Sequence, residues 1–404
     1  MLNENAGPVI DGSSRGLTTI AMSAVLGFLF GAFIGSFLNV CIHRLPRNES
    51  VVLPPSRCYS CGTQVQWYDN LPVISYLLLR GRCRWCDATF SPRYLVLELM
   101  VGALSALVMW WAFNDPAAPA PWLLAVGAND VVARAIAAAV TLSLAYLLVV
   151  ASFIDLEHMI IPDELTKPFQ LAAPLLALGT GSVLGHKLLF DPTTWLVHQN
   201  ILNQPVMTTS VFVWKFSVVV GIVLFTLALS LPLAKIIYSR FCPPEQRWDE
   251  ASHQGFRMGV LWFMVATVPA CALVLGLVFL QPGGDHGWWQ MCAGHGALAI
   301  FGSLTGWMML YVVGLLGTVA FRRNAMGFGD VKFLAPMGAF LGPIGVAYAF
   351  FFAAIVGTIV GLPMRLLASK REIPFGPWLA AGAILALIWA PDLHQWLFSQ
   401  IKFG

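Results

Sequence analysis

Charge is scarce in this sequence. Lys and Arg number 23 and Asp and Glu 20 in 404 residues, 11% of the chain, against about 25% in an average soluble domain. With 58% hydrophobic residues, the chain has far more apolar surface than a water-soluble core needs. An ordinary soluble globule is excluded, and lipid is the expected solvent for most of the chain. A basic n-region is also missing before the first apolar run, so residues 1–16 do not read as a secretory signal. There is no internal repeat and no low-complexity tract. The glycine-rich "GTGSVLG" (179–185) falls inside an apolar run with no strand before it, so it is not a nucleotide loop. Basic residues cluster as membrane topology requires, which excludes a nucleic-acid patch.

What is present is a series of apolar runs near membrane-spanning length. They fall at about 17–41, 94–113, 134–154, 168–189, 214–238, 258–280, 297–320, 333–363 and 374–392. The pattern predicts an all-α polytopic membrane protein, a bundle of about 9–10 transmembrane helices with a cytoplasmic zinc-binding loop domain. Lys and Arg fix the orientation. With the segment after the first span in the cytoplasm, loops 42–93, 155–167, 235–257, 321–332 and 364–371 hold 18 of the 23 basic residues. Both chain ends then lie outside. Segments 321–332 and 364–371 share a side, so the run 333–363 is expected to be a hairpin broken near Gly342-Pro343.

The first cytoplasmic loop contains "SRCYSCG" and "RCRWCD". Cys58 and Cys61 form one C-x2-C pair and Cys83 and Cys86 another, 21 residues later. Two tight knuckles of this kind aim four thiolates at one point, which suits zinc. Arg57, Arg82 and Arg84 beside them favour thiolate over thiol. The competing reading, two disulfides, does not suit the cytoplasmic side. Four thiolates leave no open position on the metal, so the predicted role is structural. Cys41, Cys242, Cys271 and Cys292 lack such spacing and read as apolar packing.

Two carboxylates abut apolar runs. Asp155 ends one in "VVASFIDLEHMIIPDELT", and Asp330 precedes another in "GFGDVKF". They are expected at the same membrane depth, where an acidic side chain is costly and marks function. Two carboxylates sharing a site do not both ionise easily. One Asp then serves as base and the other as acid, activating water and protonating the leaving amine of a peptide bond. Gly327 and Gly329 are expected to allow close approach and unusual dihedrals beside Asp330. The competing reading of Asp330 is a dipole partner at a helix N-terminus. Asp163 after Pro162 reads as a helix-start residue, and His158 as an ordinary loop polar residue.

These stretches together resemble the bacterial type IV prepilin peptidases, or leader peptidase/N-methyltransferases, and the wider group of G-x-G-D membrane aspartyl proteases. The matching segments are "GSFLNVCIHRLP" (35–46), residues 56–86, "SPRYLVLE" (91–98), "IDLEHMIIPDELT" (154–166), "MGFGDVKF" (326–333) and "IPFGPWLA" (373–380). The resemblance implies a catalytic pair at Asp155 and Asp330 and a metal set at Cys58, Cys61, Cys83 and Cys86. It implies prepilin and pseudopilin substrates, cut between a basic leader and a hydrophobic helix at the cytoplasmic face of the bacterial inner membrane. It also implies methylation of the new N-terminal amine from S-adenosyl-L-methionine, an activity linked to the cysteine loop. Gly81, between "YLLL" and the second cysteine pair, is a candidate for close approach to that donor. Membrane lipid and the type IV pilus or type II secretion machinery are the further partners implied.

The expected organisation is a first helix in 1–41, the four-cysteine loop in 42–93 and the first Asp in 94–189. An inserted region with about two extra spans follows at 190–296, and the peptidase region with GFGD at 297–404. The insertion departs from the resembled pattern and is expected to lie outside the catalytic bundle. Two competing functions remain: a peptidase that has lost methylation, and a proton-coupled transporter. A transporter has no need of the cysteine loop.

Overall fold

The computed structural model describes residues 17–114, 129–180, 198–199, 205–206, 221, 229–230, 232–243, 250–279, 287–368 and 374–400. The described helices are α1 Leu17–Arg44, the short α2 Ile74–Leu78, α3 Arg93–Asn114, α4 Asp130–His158, α5 Asp163–Thr180, α6 Glu250–Phe279, α7 Gly287–Phe321, α8 Phe328–Ala368 and α9 Gly376–Gln400. A further helical stretch covers 232–241. The β-structure is a two-residue pair, His198–Gln199 with Pro205–Val206, and two isolated bridges in the cysteine loop. Among the described residues, five helical stretches are long and apolar enough, by length and composition, to cross a membrane: residues 22–47, 93–114, 130–158, 296–321 and 328–361. The helices α6 and α9 coincide with the expected runs 258–280 and 374–392. The expected runs 168–189 and 214–238, and much of 190–296, lie partly outside the described residues. The chain is a mainly helical, multi-pass membrane protein.

Two compact units are present. The first comprises the described parts of 1–41, 50–120 and 128–146. Its helices pack through small residues. A Cβ added to Gly27 would lie 2.8 Å from the Ser105 carbonyl oxygen, and one on Gly35 would lie 2.9 Å from Glu98 Cα. Gly31, between them, faces Ser105 in the same way. Glycine every fourth residue lets α1 press backbone to backbone against α3, the usual device where lipid gives no hydrophobic drive to association. Beside it α3 and α4 share a buried cluster of Val108, Ala112, Ala138 and Leu142. Arg134, only 3% exposed, ion-pairs with Asp130 at 3.0 Å and donates to the Ala112 carbonyl at 2.8 Å. It thereby satisfies one of the orphan carbonyls at the end of α3.

The second unit comprises 42–49 and the described residues from 147 onward. At 41 residues, α8 would be about 60 Å long if straight, twice the hydrocarbon thickness. It is not straight. Gly342 has φ 73° and ψ 173°, outside the helical region, and Pro343 follows. A Cβ on Gly306 of α7 would lie 2.5 Å from the Leu334 carbonyl oxygen and 3.3 Å from Val346 Cγ2. Twelve residues of unbroken helix would hold those two atoms about 18 Å apart. The chain therefore turns back at Gly342, and both arms lie against α7. A left-handed φ of this kind needs glycine.

Residues of the 190–296 region do not stay outside this unit. Phe256 on α6 meets the Phe328 ring edge-on at 4.7 Å, and Gly259 sits directly under Phe328 and Lys332. The described part of the expected insertion therefore forms one wall behind the GFGD segment. Its apolar aromatic face needs burial, and the α7 rings of Trp307 and Tyr311 supply it.

Candidate active site and metal centre

The cysteine loop closes on two knuckles with matching backbone bonds. In the first, the Gly62 amide donates to the Cys58 carbonyl and the Cys58 amide to the Thr63 carbonyl, both at 2.9 Å. In the second, the Asp87 amide donates to the Cys83 carbonyl at 3.0 Å and the Cys83 amide to the Ala88 carbonyl at 2.9 Å. The bridges Arg57 to Gln64 and Arg82 to Thr89 flank them symmetrically. Gly62 (φ 70°) and Asp87 (φ 53°) take the left-handed turn at equivalent places, both residue types that tolerate it.

The knuckles bring all four Sγ atoms within 4.8 Å of one another. Cys58 and Cys86 are 3.7 Å apart, and Cys61 and Cys83 are 4.0 Å apart. A tetrahedral zinc with bonds of about 2.3 Å sets its sulfurs about 3.8 Å apart, so the cluster fits a metal ion. The thiols already share protons unequally. Hydrogen bonding with Thr63, side chain first and then backbone, holds Cys61 down at about 6. For Cys86 a backbone bond at Ala88 lowers the value, yet burial and the other three thiols leave it at about 12. Arg84 does not serve the thiolates as expected. Its guanidinium forks onto Asp69, at 2.9 Å from Nε to Oδ2 and 2.5 Å from Nη2 to Oδ1, and lies over the Tyr68 ring. It ties the "WYDN" turn to the second knuckle.

Gly81 has a structural reason to be glycine. Its φ is +67°, and a Cβ there would lie 2.8 Å from the Tyr76 ring and hydroxyl. Tyr76 packs where a side chain would go, so the closest neighbour of this backbone is the protein itself.

In the second unit, Asp155 stands in the last turn of α4 and is 5% exposed. The helix stops just beyond it: Met159 has φ 55°, and its amide donates to the Asp155 carbonyl at 2.9 Å. The chain then passes through Pro162 into α5. The Asp155 carboxylate faces another helix start. The Gly376 amide, opening α9, donates to Oδ2 at 2.8 Å. A Cβ at 376 would lie 2.8 Å from the same oxygen. Only glycine admits the contact.

Asp330 occupies the first turn of α8, half-buried, within electrostatic range of Asp155. The two residues, 175 apart in sequence, are thus neighbours. Gly327 and Gly329 play a different part from the one expected. Neither has a positive φ, since the second lies within α8. A Cβ on Gly329 would sit 3.5 Å from Ile161, an ordinary contact.

Two polar residues beyond the sequence-based candidates, Lys332 and Gln170, tie α5 to the segment that carries Asp330, and Lys167 braces Asp163 from within α5. Lys332, two residues past Asp330, donates from Nζ to Asp163 Oδ1 at 2.5 Å, and Lys167 meets the same carboxylate at 2.9 Å. Gln170 Nε2 donates to the Lys332 carbonyl at 3.2 Å. Burial alone would raise the Asp163 pKa, but the two lysines outweigh it and hold the group below the usual carboxylate value. Asp163 is therefore a helix-start residue, as expected, and also an inter-helix tie. His158 stays apart, 4.0 Å from Glu157 at the surface. Gly376 was visible in "IPFGPWLA" but gave no hint of a role. Lys332 was visible two places after Asp330, without a partner that spacing could name.

Comparison with known proteins agrees with this arrangement. Residues 29–112 match the Bacterial Peptidase A24 N-terminal domain, and residues 264–362 match the Type IV leader peptidase family. Asp330 lies in the second match, while Asp155 lies between the two. The chain is 25% identical over 416 aligned positions to the prepilin leader peptidase/N-methyltransferase of Aeromonas salmonicida, covering 96% of this chain and 97% of that one. It is 25% identical to the Pseudomonas aeruginosa protein of the same name, covering 91% and 90%. With the Myxococcus xanthus protein of that name, identity is 39% over 159 residues, covering 39% of this chain and 41% of the relative. No solved structure matches. Two family domains in order, with end-to-end similarity to several relatives, give the assignment: the chain carries a Bacterial Peptidase A24 N-terminal domain and a Type IV leader peptidase domain.

Proposed function

We propose that this protein is an aspartyl endopeptidase of the bacterial inner membrane that removes the basic leader from prepilins and pseudopilins, then N-methylates the exposed amine from S-adenosyl-L-methionine. The observation that carries the peptidase reading is the meeting of Asp155 and Asp330 at the ends of α4, α8 and α9. The Gly376 amide and the start of α9 support negative charge on Asp155. That suits Asp155 to activate water and leaves the proton on Asp330 for the departing amine. The positive-inside count supports a cytoplasmic site for both residues, where a basic leader joins a membrane helix.

In this reading Cys58, Cys61, Cys83 and Cys86 hold one zinc ion, which folds the loop and does no chemistry. The sulfur spacing supports it. Methylation is assigned to surfaces of the 42–93 loop, because a polar donor must be held in water-accessible protein. The relatives' name supports a methyltransferase. The close packing of Tyr76 on Gly81 favours a donor pocket away from that glycine. Clients belonging to a pilus or a type II secretion system are part of the same proposal.

The test is co-expression with a prepilin and mass analysis of the product's N-terminus. Loss of the leader plus about 14 Da on the new terminus supports both activities. Loss of the leader alone reduces the protein to a peptidase. An intact leader in the presence of well-folded protein overturns the proposal.

A further inference from the structure

The segment 71–80, counted above as part of a cytoplasmic loop, carries an unusual helix. In α2 the side chains of Ile74, Leu77 and Leu78 share one face, at spacing i, i+3, i+4. That face is outward: Leu77 is 61% and Leu78 77% exposed. The polar member, Ser75, is buried and donates to the Tyr68 carbonyl at 2.9 Å. A helix facing water would be built the other way round.

Its depth can be read from its neighbours. The amide of Val73, next to α2, donates to Glu98 Oε2 at 2.8 Å. Glu98 lies five residues inside α3, about 7–8 Å below the Arg93 end. The same carboxylate takes a hydrogen bond from Ser36, eight residues and so about 12 Å inside the Arg44 end of α1. Both α1 and α3 qualify as membrane spans. The start of α2 is therefore level with their second or third turn, below the plane where they leave the bilayer. The connection is held firmly: Val73 has φ 63°, which a β-branched residue adopts only when its surroundings compel it.

We infer that residues 71–80 dip from the cytoplasmic side into the bilayer interface, with Ile74, Leu77 and Leu78 against lipid chains. The occupant of this face is the membrane's own acyl region. Lipid is favoured over a protein partner by the depth fixed by Glu98, and α1, a candidate membrane span, exposes Phe33 and Phe37 in the same way. Arg80, exposed directly after the apolar run, is placed to reach headgroup phosphates. Buried Glu98 is then explained as the acceptor that satisfies a backbone amide where water is scarce. The dip holds the second cysteine knuckle, which begins three residues later at Cys83, against the membrane surface.

The test is photocrosslinking in the full-length protein, reconstituted in phosphatidylethanolamine–phosphatidylglycerol vesicles with a prepilin present. Benzoylphenylalanine replaces Leu78 in one sample and Asp87, exposed on the second knuckle, in another. Replacement of Leu77 provides a second sample should the first lose cleavage. Phospholipid adducts should be at least tenfold more abundant from position 78 or 77 than from position 87. Adducts to prepilin or to a second copy of the chain, in place of lipid, would overturn the inference. So would no adduct in protein that still cleaves, because the face would then be in water.

Discussion

The two chemistry-bearing regions are built on opposite plans. The cysteine loop is local: its ligands lie within 29 residues, and short backbone bonds such as Cys58 to Thr63 and Cys83 to Ala88 aim them. The carboxylate pair is remote: Asp155, Asp330 and Gly376 come from three helix ends, and the 2.8 Å amide contact spans 221 positions. A local site is robust to change elsewhere but depends on every ligand. A remote site depends on helix packing, so small steric changes far along the chain should damage it. The difference gives each region its own expected failures.

The largest effect should come from the carboxylates. Asp155→Asn and Asp330→Asn should each cut prepilin cleavage by about 10³-fold or more, the usual scale of lost acid–base catalysis. Methylation of a pre-cleaved substrate should persist. Side-by-side mass spectrometry of the two reactions checks this, and near-normal cleavage by either variant would remove the dyad.

The opposite break is Cys58→Ser combined with Cys83→Ser. Bound metal should fall from about one per chain to near zero, measured by plasma mass spectrometry. Methylation should fall with it, while cleavage changes by less than about tenfold. Equal loss of both activities would show that the two regions are not separable.

A finer comparison is steric. Gly376→Ala places a methyl 2.8 Å from the Asp155 carboxylate, whereas Gly329→Ala meets Ile161 at 3.5 Å. The first should lower kcat for cleavage about 10–100-fold, a cost typical of misplaced catalytic groups. The second should leave it within about threefold. Gly81→Val, strained by a φ of +67° and the Tyr76 ring, should lower metal retention and loop stability. Loss of methylation alone, with metal content unchanged, would instead return the donor site to Gly81.

The smallest effect is expected at the tie between α5 and α8. Asp163→Asn removes a half-exposed ion pair with Lys332 and Lys167, worth about 1 kcal/mol or less. Cleavage should fall no more than about tenfold. The Asp163 pKa is depressed from 3.8 in the folded protein. Its contribution is therefore complete above about pH 4 and is lost as pH falls through the depressed value. Thermal melting of the wild type and Asp163→Asn should converge in strong acid and separate near neutral pH.

Much of this was legible without coordinates, wherever the physics is short-range. Cysteine spacing names a metal knuckle, because two residues between thiols set a tight turn. Hydropathy names a membrane solvent, because long apolar runs are costly in water. Gly342-Pro343 names a break in an overlong run, because no helix of 41 residues fits one bilayer.

Tertiary structure alone decided the rest. It set the amide of Gly376 on Asp155, and Lys332 on Asp163. It brought Phe256 from an apparent insertion against the GFGD segment, and held α2 to Glu98 with its apolar face outward. These contacts join residues far apart in the chain. They depend on the angles and depths at which helices pack, and helix packing is set by the summed fit of many small side chains. Residue type and spacing determine what a segment is able to bind or bury. Which partner it finds is settled only when the whole unit closes.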